Sequence, residues 1–198
     1  MIKKGTIFLL FVVFLLGLGM IHFSYDPDFS FLHLGIHIPA ILAVISIFFA
    51  ILLPLNKNRL TDIKGTQLKS LHHFFSYLGW ISVLVHMLFL FIKIKKWTLF
   101  IPSFSNIGVI LGKSGPIAVI LLILGSIGLF FLKRWKTFQT IHAINILAFF
   151  WITVHGIFKD KALPNNMPYF LLLLIMDLYI LFLLITNAVK SDKQKKPV

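Results

Sequence analysis

No cysteine occurs among the 198 residues, which excludes disulfides, cysteine-held iron–sulfur clusters and the C-x-x-C-H attachment of a c-type haem. Charge is scarce as well. Only 13% of residues are charged, against roughly 25% in an average soluble domain. There is no G-x-G-x-x-G or other dinucleotide loop, so the sequence offers no FAD or NAD(P) site. Repeats and low-complexity tracts are also lacking. What fills the chain is apolar: 59% of residues are hydrophobic and the mean hydropathy is +0.95. This composition belongs to an integral membrane protein whose main partner is the lipid bilayer.

Six apolar runs approach or span a hydrocarbon core about 30 Å thick: residues 5–21, 34–55, 71–92, 115–132, 138–158 and 167–189. They predict an all-α, polytopic bundle of six transmembrane helices, a single domain over 1–198 with little chain left for a soluble module. The longest connections are 56–70 and 93–114. The second contains "TLFIPSFSNIGVILG", which reads as a loop or a helix lying in the interface. Lys3 and Lys4 ahead of the first run also fit a signal peptide, but no small-x-small cleavage site follows Met20 in "IHFSYDP". An uncleaved first helix is expected.

The distribution of basic residues predicts orientation. With six spans, thirteen of the 19 Lys and Arg fall on the side that receives both termini and the second and fourth connections; six fall on the other. The positive-inside bias then places the protein in the cell membrane, multi-pass, with both termini cytoplasmic. The net charge of +13 is explained by that bias. No basic soluble face remains for nucleic acid.

Against this apolar background stand eight histidines. The third run opens at "SLHHFFSYLGWISVLVH" with His72 and His73 and closes with His86. The fifth carries His142 and His155. Both helices run in the same direction, so His72 and His142 fall at one depth and His86 and His155 at another, roughly 20 Å away at a rise of about 1.5 Å per residue. A histidine near a helix end commonly just snorkels or bonds at the interface. Two level pairs ask for more, because ionisable groups within a span are costly. Neutral imidazoles facing each other in an apolar gap suit bis-histidine ligation of haem iron. Zinc fits less well, since two histidines half complete a tetrahedral site.

Helical geometry separates the adjacent pair. Fourteen residues turn a helix to within about 40° of four full turns, so His72 and His86 share a face, whereas His73 is about 140° from His86. His73 then faces elsewhere, toward a propionate or lipid headgroup. His142 and His155 are thirteen apart, and aligning them requires a crossing angle or a local distortion.

The histidine pattern, "HHFFSYLGWISVLVH" followed by "HAINILAFFWITVH" in a six-helix chain, resembles the ferric reductase-like transmembrane domain. That superfamily includes NADPH oxidases, ferric reductases and the haem-binding membrane subunit of the bacterial methionine sulfoxide reductase system. The likeness covers about 115 residues from Leu71, and the unequal His-x13-His and His-x12-His spacings are the family's own. It implies haem b, with His72 and His142 as axial iron ligands on the cytoplasmic side and His86 and His155 on the outer side. Two departures bear on this. Ala143 stands where many bacterial relatives have Arg, and some relatives carry a basic pair in place of His72 and His73. One haem or two therefore stays open.

Oxidases and eukaryotic ferric reductases carry C-terminal flavin and nicotinamide domains, and no such sequence follows Val189 here. The resemblance thus implies electrons supplied by a separate cytoplasmic flavin reductase or a membrane quinol. Lys133, Arg134 and Lys136 would dock that donor or neutralise propionates, or act only as positive-inside anchors. On the outer side the acceptor would be ferric iron, dioxygen or a partner reductase.

Two further features are candidates. In "HFSYDPDFSFLHLGIH", His33 and His37 are i, i+4 neighbours close in sequence to His22, Asp26 and Asp28, which suits a metal ion or the final acceptor; a loop leading into an interfacial helix explains them more cheaply. Asp177 sits within the last run and would carry protons or bond a neighbouring helix. The competing class of function is non-redox: a transporter or assembly factor that uses intramembrane histidines for protons or metal.

Overall fold

The computed structural model describes residues 4–25, 30–57, 60, 63–96, 101, 114–131, 142–159 and 167–195, and the structural statements below concern these. They form six helices and no strand: α1 (Lys4–Tyr25), α2 (Phe31–Leu55), α3 (Gly65–Ile94), α4 (Ser114–Phe131), α5 (Ile144–Lys159) and α6 (Met167–Lys195). The fold is all-α, as the composition predicts. Phe31–Leu55, Gly65–Ile94 and Met167–Val189 are long and apolar enough to cross a membrane; Leu9–Met20, Ser114–Ser126 and Ile144–Ile157 are shorter apolar stretches. The chain forms two compact units, Met1–Leu90 with Leu171–Val198, and Phe91–Phe170.

In the first unit α2 is the centre, with an almost unbroken buried run from Ala43 to Ile51. Three rings lock its neighbours together. Phe11 of α1 lies 5.7 Å from Phe49 of α2 and 4.9 Å from Phe75 of α3 between ring centroids, and Phe49 and Phe75 are 5.3 Å apart. Spacings of 4.5–7 Å are those at which aromatic pairs attract beyond their area burial. Leu71, Phe75, Gly79 and Ser82 form the buried stripe of α3, at the three- and four-residue intervals of one helix face.

Within α6, Leu173, Met176, Ile180 and Leu183 are buried, while Leu171, Ile175, Leu178, Phe182 and Ile185 are exposed. Both faces are apolar. In water the exposed face would be polar; an apolar outer stripe fits a helix whose other solvent is lipid.

Backbone accounting at the end of α2 explains how it stops. The Asn56 side chain donates to Leu52 O (3.2 Å), its N–H donates to the same oxygen (3.1 Å), and Asn187 of α6 donates to Leu55 O (3.0 Å). These take up carbonyls that a helix C-terminus leaves without intrahelical donors. The helix also contains Pro39 and Pro54, which remove two donors from its interior ladder.

The second unit pairs α4 with α5 around Ala118, Leu122, Ala148, Phe149 and Thr153, all buried. The sequence predicts a continuous helix over 138–158. Residues 138–141 of that run lie outside the described residues; His142 is helical, Ala143 is a turn and α5 follows from Ile144, and the Ile146 N–H donates back to Ala143 O at 3.0 Å, a tightened three-residue bond. Residues 132–141, which include Lys133, Arg134 and Lys136, lie outside the described residues.

Candidate functional site

The candidate histidines are held by backbone groups of the preceding helix, and the arrangement recurs in both units. In the first, His72 Nδ1 lies 2.8 Å from Ala50 O and His86 Nδ1 lies 2.8 Å from Ile36 O. A carbonyl can only accept, so each ring donates an Nδ1–H. The two acceptors are fourteen residues apart on α2, as are the two histidines on the antiparallel α3. One register therefore satisfies both bonds, and the expectation that His72 and His86 share a helix face agrees with this geometry.

Gly79 lies midway between them. A Cβ there would meet Ile47 Cγ1 at 2.8 Å, closer than real contacts allow, so a glycine is what lets α3 approach α2 at this level. Gly35 is similarly covered by the Phe89 ring. His73 takes a different direction. Its ring stacks against Tyr77 (centroids 6.2 Å apart, 24° between planes), and Tyr77 is 67% exposed.

In the second unit His142 sits just before α5. Its Nδ1 is 3.2 Å from Gly125 O and 3.1 Å from Asn145 Nδ2. Two proton arrangements satisfy this triangle. Either Nδ1–H donates to the carbonyl with the amide turned to present its oxygen, or Nδ1 accepts from Nδ2 and the ring proton is on Nε2. His155 has no such choice while its bond is kept. The Gly115 N–H donates to His155 Nδ1 at 3.1 Å, so the neutral ring carries its proton on Nε2. Gly115 is in the first turn of α4, where N–H groups lack intrahelical acceptors, and His155 caps that end. Both α5-side histidines thus reach α4 despite their thirteen-residue spacing, with a turn at Ala143 between them.

Tautomer decides what each ring can ligate. A histidine that donates Nδ1–H to a carbonyl is oriented and keeps its lone pair on Nε2, the usual arrangement behind a metal-bound imidazole. His72 and His86 have this arrangement, His142 can adopt it, and His155 has the reverse. The donor set fits haem iron at three positions and fits at the fourth only if the Gly115 bond is given up.

At the other candidate cluster, His33 and His37 stack with centroids 4.0 Å apart and planes 24° apart. His33 is buried, and its N–H donates to Ser30 Oγ at 3.4 Å as a helix start. Among the described residues no group of three or more His, Cys, Asp or Glu is placed to hold a metal ion. Asp26, Asp28 and the His22 side chain lie outside the described residues. Asp177 is half-buried on α6.

Sequence reasoning did not find Asn145, Gly115 and Gly125 as partners of the α5-side histidines, nor Ala50 and Ile36 as acceptors. A signal for Ala50 existed: Pro54, four residues later, cannot supply the N–H that its carbonyl would otherwise receive.

No protein-family model matches the chain, and neither do any curated protein or solved structure.

Proposed function

We propose that this chain is a haem b membrane protein of the ferric reductase-like type, a six-span bundle in the cell membrane with cytoplasmic termini. It relays electrons from a separate cytoplasmic flavoprotein or quinol to an outer acceptor: ferric iron, dioxygen or a partner reductase. The observation that carries the reading is the pair of bonds from His72 and His86 to Ala50 O and Ile36 O. They leave two intramembrane imidazoles in the tautomer that ligates through Nε2.

Haem would supply an iron that alternates between ferric and ferrous states. The chain supplies what surrounds it. His72, His86, His142 and His155 are the ligands; neutral imidazoles add no charge, so an apolar site loses little on holding them. Carbonyl bonds fix ring orientation and raise donor strength. The resemblance pairs His72 with His142, both able to carry Nδ1–H, and His86 with His155, where one ring is committed to a helix cap. On this reading the first pair holds haem firmly and the second weakly. Arg134 and its basic neighbours serve the donor side.

The test is a dithionite-reduced minus air-oxidised spectrum of protein purified after expression with ample haem. A b-type α band and Soret shift are expected. A folded but colourless protein would leave the non-redox reading, histidines serving protons or metal.

A further inference from the structure

We propose that Pro54 is a positioning residue: it opens the α2 ladder at the Ala50 carbonyl, which then sets the tautomer of His72 on α3. The inference deepens the haem reading and rests on it only for its second readout.

The chemistry begins with the ladder itself. Each helical carbonyl takes the N–H four residues later. For Ala50 that residue is Pro54, which has no N–H, and the proline ring also crowds the carbonyl four residues back. Within an apolar span that oxygen cannot turn to water, and an unsatisfied carbonyl is costly. His72 Nδ1–H fills the place at 2.8 Å. His86 provides the contrast: its acceptor, Ile36 O, lies four residues before Ala40, which has an N–H, and Pro39 removes the donor to Gly35 O instead, so the 2.8 Å bond from His86 Nδ1–H is made at a carbonyl that no proline opens.

At Ala50 the bond serves both partners. The carbonyl lacks its ladder donor, and the ring, to supply one, must carry its proton on Nδ1. Pro54 acts on His72 through the carbonyl, so the effect is positional. The α5-side histidines lack this control: Pro116 of α4 lies beside Gly115, whose N–H, not a carbonyl, meets His155. A carbonyl partner gives the two α3 rings one tautomer, and an N–H partner gives His155 the other.

The experiment uses the full chain labelled with 15N-histidine, in nanodiscs. Nitrogen NMR of haem-depleted protein reads the protonated ring atom, and redox titration of haem-loaded protein reads the potential. Wild type should show His72 and His86 as Nδ1–H. Pro54→Ala restores an N–H for Ala50 O, so His72 should become a mixture of tautomers while His86 is unchanged; Pro39→Ala, which leaves the donor to Ile36 O unaltered, should change neither ring. In loaded protein Pro54→Ala should retain haem about 10- to 100-fold less tightly, the usual scale for losing the partner of a ligating histidine, with a raised midpoint potential because the ring becomes a weaker donor. His72 remaining fully Nδ1–H in Pro54→Ala, or His86 shifting together with His72 in that variant, would overturn the proposal. Tautomers that respond as expected in a protein that never takes up haem would uphold the positioning role and remove the haem reading alone.

Discussion

The His155 ring lies so close over Gly115 that a Cβ on residue 115 would come within 2.9 Å of its Cε1, and it accepts that residue's N–H on Nδ1. Ligation through Nε2 would move the ring proton to Nδ1 and break this cap. A net hydrogen bond of about 0.5–1.5 kcal/mol is then lost, which weakens haem binding at that level roughly two- to tenfold. Haem titration of the purified chain should therefore be biphasic, and His155→Ala should abolish the weaker phase. Loss of the tighter phase in His155→Ala, with the weaker one kept, would contradict the assignment.

His72 bonds into α2 while His73 stacks on exposed Tyr77. Replacing His72 by Ala should remove one haem and leave the Ala50 carbonyl without its donor, with a stability loss of about 1–3 kcal/mol. His73→Ala should retain the haem content of the wild type and unfold within about 0.5 kcal/mol of it. Pyridine haemochrome content and thermal unfolding in detergent read both. Haem lost with His73 and kept with His72 would reverse the ligand choice.

Much of this was legible beforehand, for reasons that differ by element. The apolar runs announced the helices because hydropathy is a property of composition alone. The shared face of His72 and His86 followed from fourteen residues being nearly four turns. The turn at Ala143 was not legible, because nothing in "QTIHAINIL" signals it. The cap on His155 was illegible for a different reason: it depends on where the first turn of α4 lies against α5, a tertiary contact between residues forty apart. The carbonyl at Ala50 lay between. Pro54 marks a missing donor, but which side chain would replace it depends on the α2–α3 register.

Gly79 offers a test of that register. Placed between His72 and His86, it admits Ile47 where a Cβ would collide. Gly79→Leu should force α2 and α3 apart, costing about 1–3 kcal/mol as an overpacked core does and lowering haem retention at both α3 histidines together. Thermal unfolding and haem content measured on one preparation should fall in parallel. A stable variant with unchanged haem would mean that the glycine does not set the approach of the two helices.

The central claim is that histidine pairs of this chain ligate haem iron, and near-infrared magnetic circular dichroism of the oxidised protein tests it most directly, because the energy of the low-spin ferric charge-transfer band identifies both axial ligands. The account predicts a bis-imidazole band that persists in His73→Ala and loses intensity in His72→Ala and in His142→Ala. A band unchanged in all four variants at His72, His86, His142 and His155, or no haem signal from folded wild-type protein, would contradict it.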